Sequence, residues 1–284
     1  MTSSMQPAWV LSRQSYRDSS FLVHFITANE GRLSAIVKGV HRKQRGGTLA
    51  SLMQPFSPVL VSLGGKSELR YLGGAESAGI AISLPGEKLF TGLYLNELLT
   101  LLLPKFDPSP TVFAAYGASL ARIADEDDTE LILRRFELLL FDELGYQIQW
   151  HCDHDQNPID PAKNYVFQSD KGFVRRTASA TDLSVLTGQE LLVLLSWQQS
   201  ERMIDPPLRR KLKQVMRQAI EYRLGGRVLR VRDAVNQWRQ IGNTEERCGY
   251  ASYRSCATTA LTKPSPMNSR RSLFVAPKLR CVRA

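Results

Sequence analysis

The sequence predicts an α+β protein in which a small β-barrel at the N-terminus precedes an α-helical domain that carries a short irregular insertion. Three observations lead there. Residues 8–77 hold five short apolar runs of strand character, separated by Gly, Asn and Pro. After Pro85-Gly86 the apolar spacing changes to that of a helix. A Cys- and His-bearing irregular stretch around 147–182, with two brief strand signals, then interrupts the helical pattern. With 284 residues, 43% of them hydrophobic, the chain is long enough for separate cores. The expected divisions are 1–80 for the barrel, 81–242 for the helical domain and 243–284 for a basic tail.

The predicted strands are 9–11, 21–27, 33–37, 58–63 and 69–72, and Asn29-Glu30-Gly31 reads as the turn joining the second to the third. Phe90, Leu93, Tyr94, Leu98, Leu101 and Leu102 then form one apolar stripe, and Pro104 stops that helix. A second helix is predicted over 111–123. The acidic run Asp125-Glu126-Asp127-Asp128 places negative charge at the start of a third, 129–144, which Gly145 caps. Strands at 165–167 and 172–174 mark the insertion. Thr187 and Glu190 make a capping box before the apolar run 191–197. Asp205-Pro206 supplies an N-cap and first-turn proline for a helix reaching Leu224, with Gly225-Gly226 beyond it. Leu208, Leu212, Val215, Met216 and Ala219 share one face of this helix, and Arg209, Arg210, Lys213 and Arg217 decorate the rest. Beyond Gly242 periodicity fades into Ser, Thr, Arg and Pro, the composition of a flexible tail.

The formal net charge of +10 is unevenly placed. Residues 1–80 carry nine Lys/Arg against four Asp/Glu, 81–242 twenty against twenty-one, and 243–284 eight against two. An excess gathered at the two ends favours a localised polyanion site over general solubilising charge. No apolar run reaches the roughly 18 residues of a membrane helix, since Asn96 and Glu97 break the longest. The first residues have neither a basic start nor an apolar stretch, so a cytoplasmic protein is expected. Cys152, Cys248, Cys256 and Cys281 are too scattered for a disulfide framework, and reduced thiols are expected.

Catalytic templates fit poorly. Gly65-Lys66-Ser67 ends like a phosphate-binding loop, but Leu60 stands where that loop needs glycine. Asp127 with Asp128, and Asp142 with Glu143, are accounted for by helix-end capping. His151-Cys152-Asp153-His154 offers zinc-type ligands without a second pair downstream, so no metal and no cofactor is expected. Nucleic-acid binding fits better. The strand from Gly31 runs into a glycine-flanked basic loop, and Arg32, Lys38, Arg42, Lys43, Arg45, Lys66 and Arg70 are the expected phosphate contacts on the barrel. Tyr71 or Phe21 stacks on bases if it faces outward; a core position is the alternative for each. Arg209, Arg210 and Lys213 extend the track, unless that helix face is merely solvated.

The barrel with Gly31-Arg32 and Val37-Lys38-Gly39, then Gln54-Pro55-Phe56-Ser57-Pro58, Leu63-Gly64-Gly65, Leu93-Tyr94-Leu95-Asn96-Glu97-Leu98-Leu99, Arg134-Arg135-Phe136-Glu137, Leu144-Gly145-Tyr146 and Leu224-Gly225-Gly226, closely resembles the bacterial recombination mediator family RecO. The similarity covers about residues 6–240 and lies in the order of these motifs. The resemblance implies an oligonucleotide-binding (OB) barrel and a helical domain. It implies binding to single- and double-stranded DNA, annealing of complementary strands, work with RecR, and help in loading RecA onto strands coated by single-stranded-DNA-binding protein (SSB), none of it as an enzyme. It also implies association with the nucleoid. The four-cysteine zinc module of some members is reduced here to Cys152 and its histidine neighbours. Arg134, Arg135 and Phe136 are the expected contacts for the acidic, Phe-ending SSB tail, with pairing to Glu130, Glu137 or Glu143 on the same helix as the alternative. A protein-interaction scaffold, its DNA binding incidental, is the competing function; a nuclease would need a carboxylate cluster that the sequence lacks.

Overall fold

Strands β1 (Gln6–Tyr16), β2 (Ser20–Thr27) and β3 (Gly31–Lys38) form a meander in the computed structural model. A two-residue ladder, β4 (Lys43–Gln44) with β5 (Gly47–Thr48), and the short helix α1 (Leu49–Leu52) follow before β6 (Pro58–Gly64) and β7 (Leu69–Ser77). The five long strands close in the order β1-β2-β3-β7-β6, with β3 and β7 parallel and the other pairs antiparallel. Closure removes the edges that an open sheet would expose. The structure describes residues 4–41, 43–44, 47–176, 185–198, 200 and 203–235, with the side chains at 43, 44 and 47 left outside. The expected tail and the loop residues Arg42 and Arg45 lie outside the described residues. All that is described belongs to one unit, Met1–Asn236.

Alternation fills the barrel. Val23, Phe25, Leu33, Ala35 and Val37 point inward from β2 and β3 onto Val59 and Val61. A bulge between Val10 and Ser12 breaks the alternation in β1, so Val10 stays in the barrel while Leu11 joins the helical core. The sequence placed only 9–11 in this strand. It runs to Tyr16 because β2 pairs with it throughout, a tertiary cause that local apolarity does not register.

The helical region comprises α2 (Glu87–Leu102), α3 (Pro110–Asp125) and α4 (Thr129–Glu143), then β8 (Asn164–Gln168), β9 (Gly172–Arg176) and β10 (Val185–Thr187), then α5 (Gly188–Gln198) and α6 (Pro206–Leu224). The three short strands form a sheet in the order β10-β8-β9. Helix α2 ends before Pro104 with Leu103 extended, as the residue before proline prefers. The end of α4 is a Schellman turn: Tyr146 N–H donates to Phe141 O and Gly145 N–H to Asp142 O, with Gly145 at φ 74°. Thr187 and Glu190 make the reciprocal bonds of a capping box, at 2.8 and 3.1 Å. Asp205 sits at the N-cap of α6, but its side chain caps nothing. Among the described residues no helix is long and apolar enough to cross a membrane.

Barrel and helices are joined by specific contacts. Asn96, buried in the middle of α2, donates to Leu11 O at 2.6 Å and accepts from the Tyr116 hydroxyl at 2.5 Å. The Trp9 ring meets Tyr116 edge-on at 5.8 Å, and Gly117 leaves room for it. At the other side Gly31, at φ 68°, lies so close to Asp107 that a Cβ there would stand 2.1 Å from its carbonyl oxygen.

Candidate nucleic-acid interface

Residues that alternate with the barrel core build its outer face. Pairing places Ser20 beside Lys38, Leu22 beside Ile36 and His24 beside Ser34, while the next row, Ile26 beside Arg32, is covered because Ile26 is buried in the helical core. The parallel strand β7 continues two of these rows, with Leu69 beside Ser34 and Tyr71 beside Ile36. Tyr71 is 49% exposed, so of the two candidate aromatics it faces outward, while Phe21 packs partly on the barrel core. The Lys38 ammonium lies 5.5 Å from the Tyr71 ring centroid, and Lys66 is exposed in the turn from β6 to β7. An aromatic face flanked by two cations is a surface on which bases stack and phosphates pair. A second such pair escaped the sequence reading: Tyr16 opposes Ser20, which opposes Lys38, and Arg17 sits 5.3 Å over the Tyr16 ring. Its signal was the polar tripeptide Arg17-Asp18-Ser19, which reads simply as a turn.

The lower end of this face is also cationic. His24 Nδ1 and Ser34 Oγ share a 2.8 Å hydrogen bond. Burial, then the charges of Arg32 and Lys105, hold the His24 imidazole below the ordinary histidine range. Arg32 Nε donates to Leu103 O at 2.9 Å, which carries this predicted contact from the barrel face to the junction with α2. Arg70 differs more from its expected role. It pairs with Glu30 at 3.1 Å, donates to Gly65 O and lies over the Phe106 ring. The loop residues Arg42 and Arg45 and the side chain of Lys43 lie outside the described residues.

Away from the barrel, several predicted cations have structural partners. Arg209 pairs with Asp128, and Lys213 with Glu130 at 3.1 Å, so the acidic start of α4 holds the start of α6. Arg210 is exposed. For the expected tail contacts the structure brings a correction. Arg134 is 5% exposed and bonds to Glu137 at 2.8 Å, and Glu137 also accepts from the Tyr94 hydroxyl at 2.6 Å. Burial pushes the Glu137 carboxyl up against the pull of Arg134, and removing one member of such a buried pair typically costs ~3–5 kcal/mol. Phe136 is buried as well. Arg134 and Phe136 are therefore core residues, because the apolar stripe of α4 is wide enough to take them inside. Arg135 alone of the three reaches the surface, stacked 4.5 Å from the Trp197 ring and donating to Ser200 O.

In the insertion, Asp153 orders the turn that follows it: its carboxylate accepts from the amides of Asp155 and Asn157 and pairs with Arg175 at 2.9 Å. Cys152 Sγ donates to Gln156 Oε1. Among the described residues no group of three or more His, Cys, Asp or Glu side chains is placed to hold a metal ion.

Comparison with known proteins agrees with this architecture. Residues 1–80 match the family model described as Recombination protein O N terminal, and residues 85–232 the one described as Recombination protein O C terminal. The DNA repair protein RecO of Methylococcus capsulatus is 37% identical over 227 residues, 80% of this chain and 90% of that protein. Its counterpart in Pseudomonas putida is 38% identical over 226 residues, 79% and 93% of the two chains, and that of Nitrosospira multiformis 34% over 240 residues, 83% and 96%. With a closed five-stranded barrel followed by a helical region, and similarity across both, the chain belongs to the RecO family of DNA repair and recombination proteins.

Proposed function

We propose that this protein binds single- and double-stranded DNA on the outer face of its barrel, anneals complementary strands and, with RecR, helps to load RecA onto strands coated by SSB. The observation that carries the reading is the exposed Tyr71 with Lys38 beside it and Lys66 in the adjoining turn, on the β2-β3-β7 face of a closed OB-type barrel. Strands 2 and 3 and the neighbouring loops form the binding surface of such barrels. Contacts to phosphate charge and to the π-faces of bases ignore sequence, as annealing of arbitrary strands requires. Neutralised strands repel each other less, and two strands held by one protein meet at a raised effective concentration. None of this needs nucleotide hydrolysis. For the acidic tail of SSB, Arg135 is the proposed carboxylate partner, beside a cavity of about 90 Å³ that it shares with Met203, Asp128 and the Arg122–Glu126 pair.

The test is the affinity for a labelled single strand across a salt series. The logarithm of the binding constant should fall linearly with log salt, by about 0.7 for each phosphate contacted, and the double variant K38A/K66A should lower that slope by about 1.4. Binding indifferent to salt would remove the proposal.

A further inference from the structure

A groove of about 610 Å³ lies where the barrel meets the helices. Its floor is apolar, made by Leu11 of β1 and Leu93 and Leu101 of α2, with Val228, 66% exposed, at its edge. Cations line it. Arg227 is fixed by two carbonyls, Leu101 O at 2.7 Å and Leu224 O at 3.1 Å, and Arg230 follows in the same wall. Outside this lining, Arg32 of β3 donates to Leu103 O, two residues past Leu101, near enough to Arg227 for the two charges to weigh on each other. The one carboxylate in the wall, Glu97, accepts from the backbone amides of Arg230 and Val231 at 2.8 and 3.0 Å and keeps its charge, so Arg227 and Arg230 leave the wall with a net positive charge of one. An apolar floor under a cationic rim complements a ligand with a flat apolar part and an attached phosphate, and the volume is within the ~300–1,000 Å³ typical of ligand clefts.

The groove is also continuous with the barrel face. Ser12 in its wall is the pairing partner of His24, which bonds Ser34 in the outer ladder described above. We propose that the groove is a nucleotide subsite: one unstacked base of a single strand enters it, and the adjoining phosphate sits among Arg32, Arg227 and Arg230. This rests on the reading of the barrel face as a nucleic-acid surface. It adds a selectivity that the face itself lacks. A paired base enters only by leaving its helix, which costs its pairing and stacking, so the junction favours single strands where the phosphate contacts do not.

The test compares full-length wild type, V228W and R230Q on oligothymidylate and on a base-free deoxyribose-phosphate oligomer of equal length and charge. Val228 and Arg230 are both exposed, so an unchanged melting temperature is expected for each variant. Wild type should prefer oligothymidylate by about tenfold, and V228W, which fills the groove without altering a charge, should shrink that preference to about threefold. R230Q should lower the salt slope by about 0.7, the loss of one phosphate. If both variants match wild type while K38A/K66A binds more weakly, the groove lies off the strand's path and this inference falls, with the barrel reading intact. If wild type binds neither oligomer, the barrel reading falls with it.

Discussion

His24 is the residue where the electrostatics of the barrel and the proposed DNA binding meet most directly. It stands on the outer face of β2, bonded to Ser34, with burial, then the charges of Arg32 and Lys105, holding its imidazole below the ordinary histidine range. A depressed histidine stabilises the folded protein fully above its unfolded pKa, about 6.5, and that contribution is lost as pH falls through the lower folded value. A phosphate seated on this face reverses the local preference, because it favours the imidazolium. DNA binding at this face would therefore take up a proton. Affinity for a single strand, measured by anisotropy at constant ionic strength, should rise several-fold between pH 8 and 6 and stay nearly flat for H24Q. The opposite signs matter: acid that merely loosened the fold would weaken binding. Equal pH profiles for wild type and H24Q would place the phosphates elsewhere.

The elements show how the site is held. Strand β3 delivers Lys38 to the outer face and Arg32 to the junction with α2, and the turn at Gly31 sets where β3 begins. Gly31 tolerates neither its positive φ nor the nearby Asp107 backbone with a side chain attached. G31A should cost about 3 kcal/mol by denaturant unfolding, combining left-handed strain with overpacking; a loss under about 0.5 kcal/mol would show that the linker before α3 gives way freely. Helix periodicity, caps and strand alternation were legible because each is local: the Schellman turn at Gly145 and the Thr187–Glu190 box stand where the residues announced them. What local pattern could not reveal is the partner across a contact. Arg134 looks like a surface cation until Glu137 and Tyr94 enclose it, and Arg70 like a phosphate ligand until Glu30 and Phe106 claim it. Asn96 and Glu97, two polar residues in an apolar run, were the visible sign of the junction. Their targets, Leu11 O at one end and the amides of 230 and 231 at the other, are 85 and more than 130 residues away.

At the level of the whole molecule, charge is divided by task. In the helical region, where Lys/Arg and Asp/Glu nearly balance, cations are tied into pairs such as Arg209–Asp128, Lys211–Glu190 and Lys213–Glu130. On the barrel, Lys38 and Lys66 stay at the surface beside Tyr71, which gives the N-terminal excess of charge a definite address. We propose that DNA is annealed at this address. The measurement that tests it most directly is the annealing rate of two complementary labelled oligonucleotides without nucleotide, with wild type and the triple variant K38A/K66A/Y71A compared at matched folding stability. Wild type should anneal rapidly and the variant at least about tenfold more slowly, of the order expected when two phosphate contacts and one stacking platform are removed. Equal annealing by both proteins would contradict it and put the DNA on another surface of the molecule.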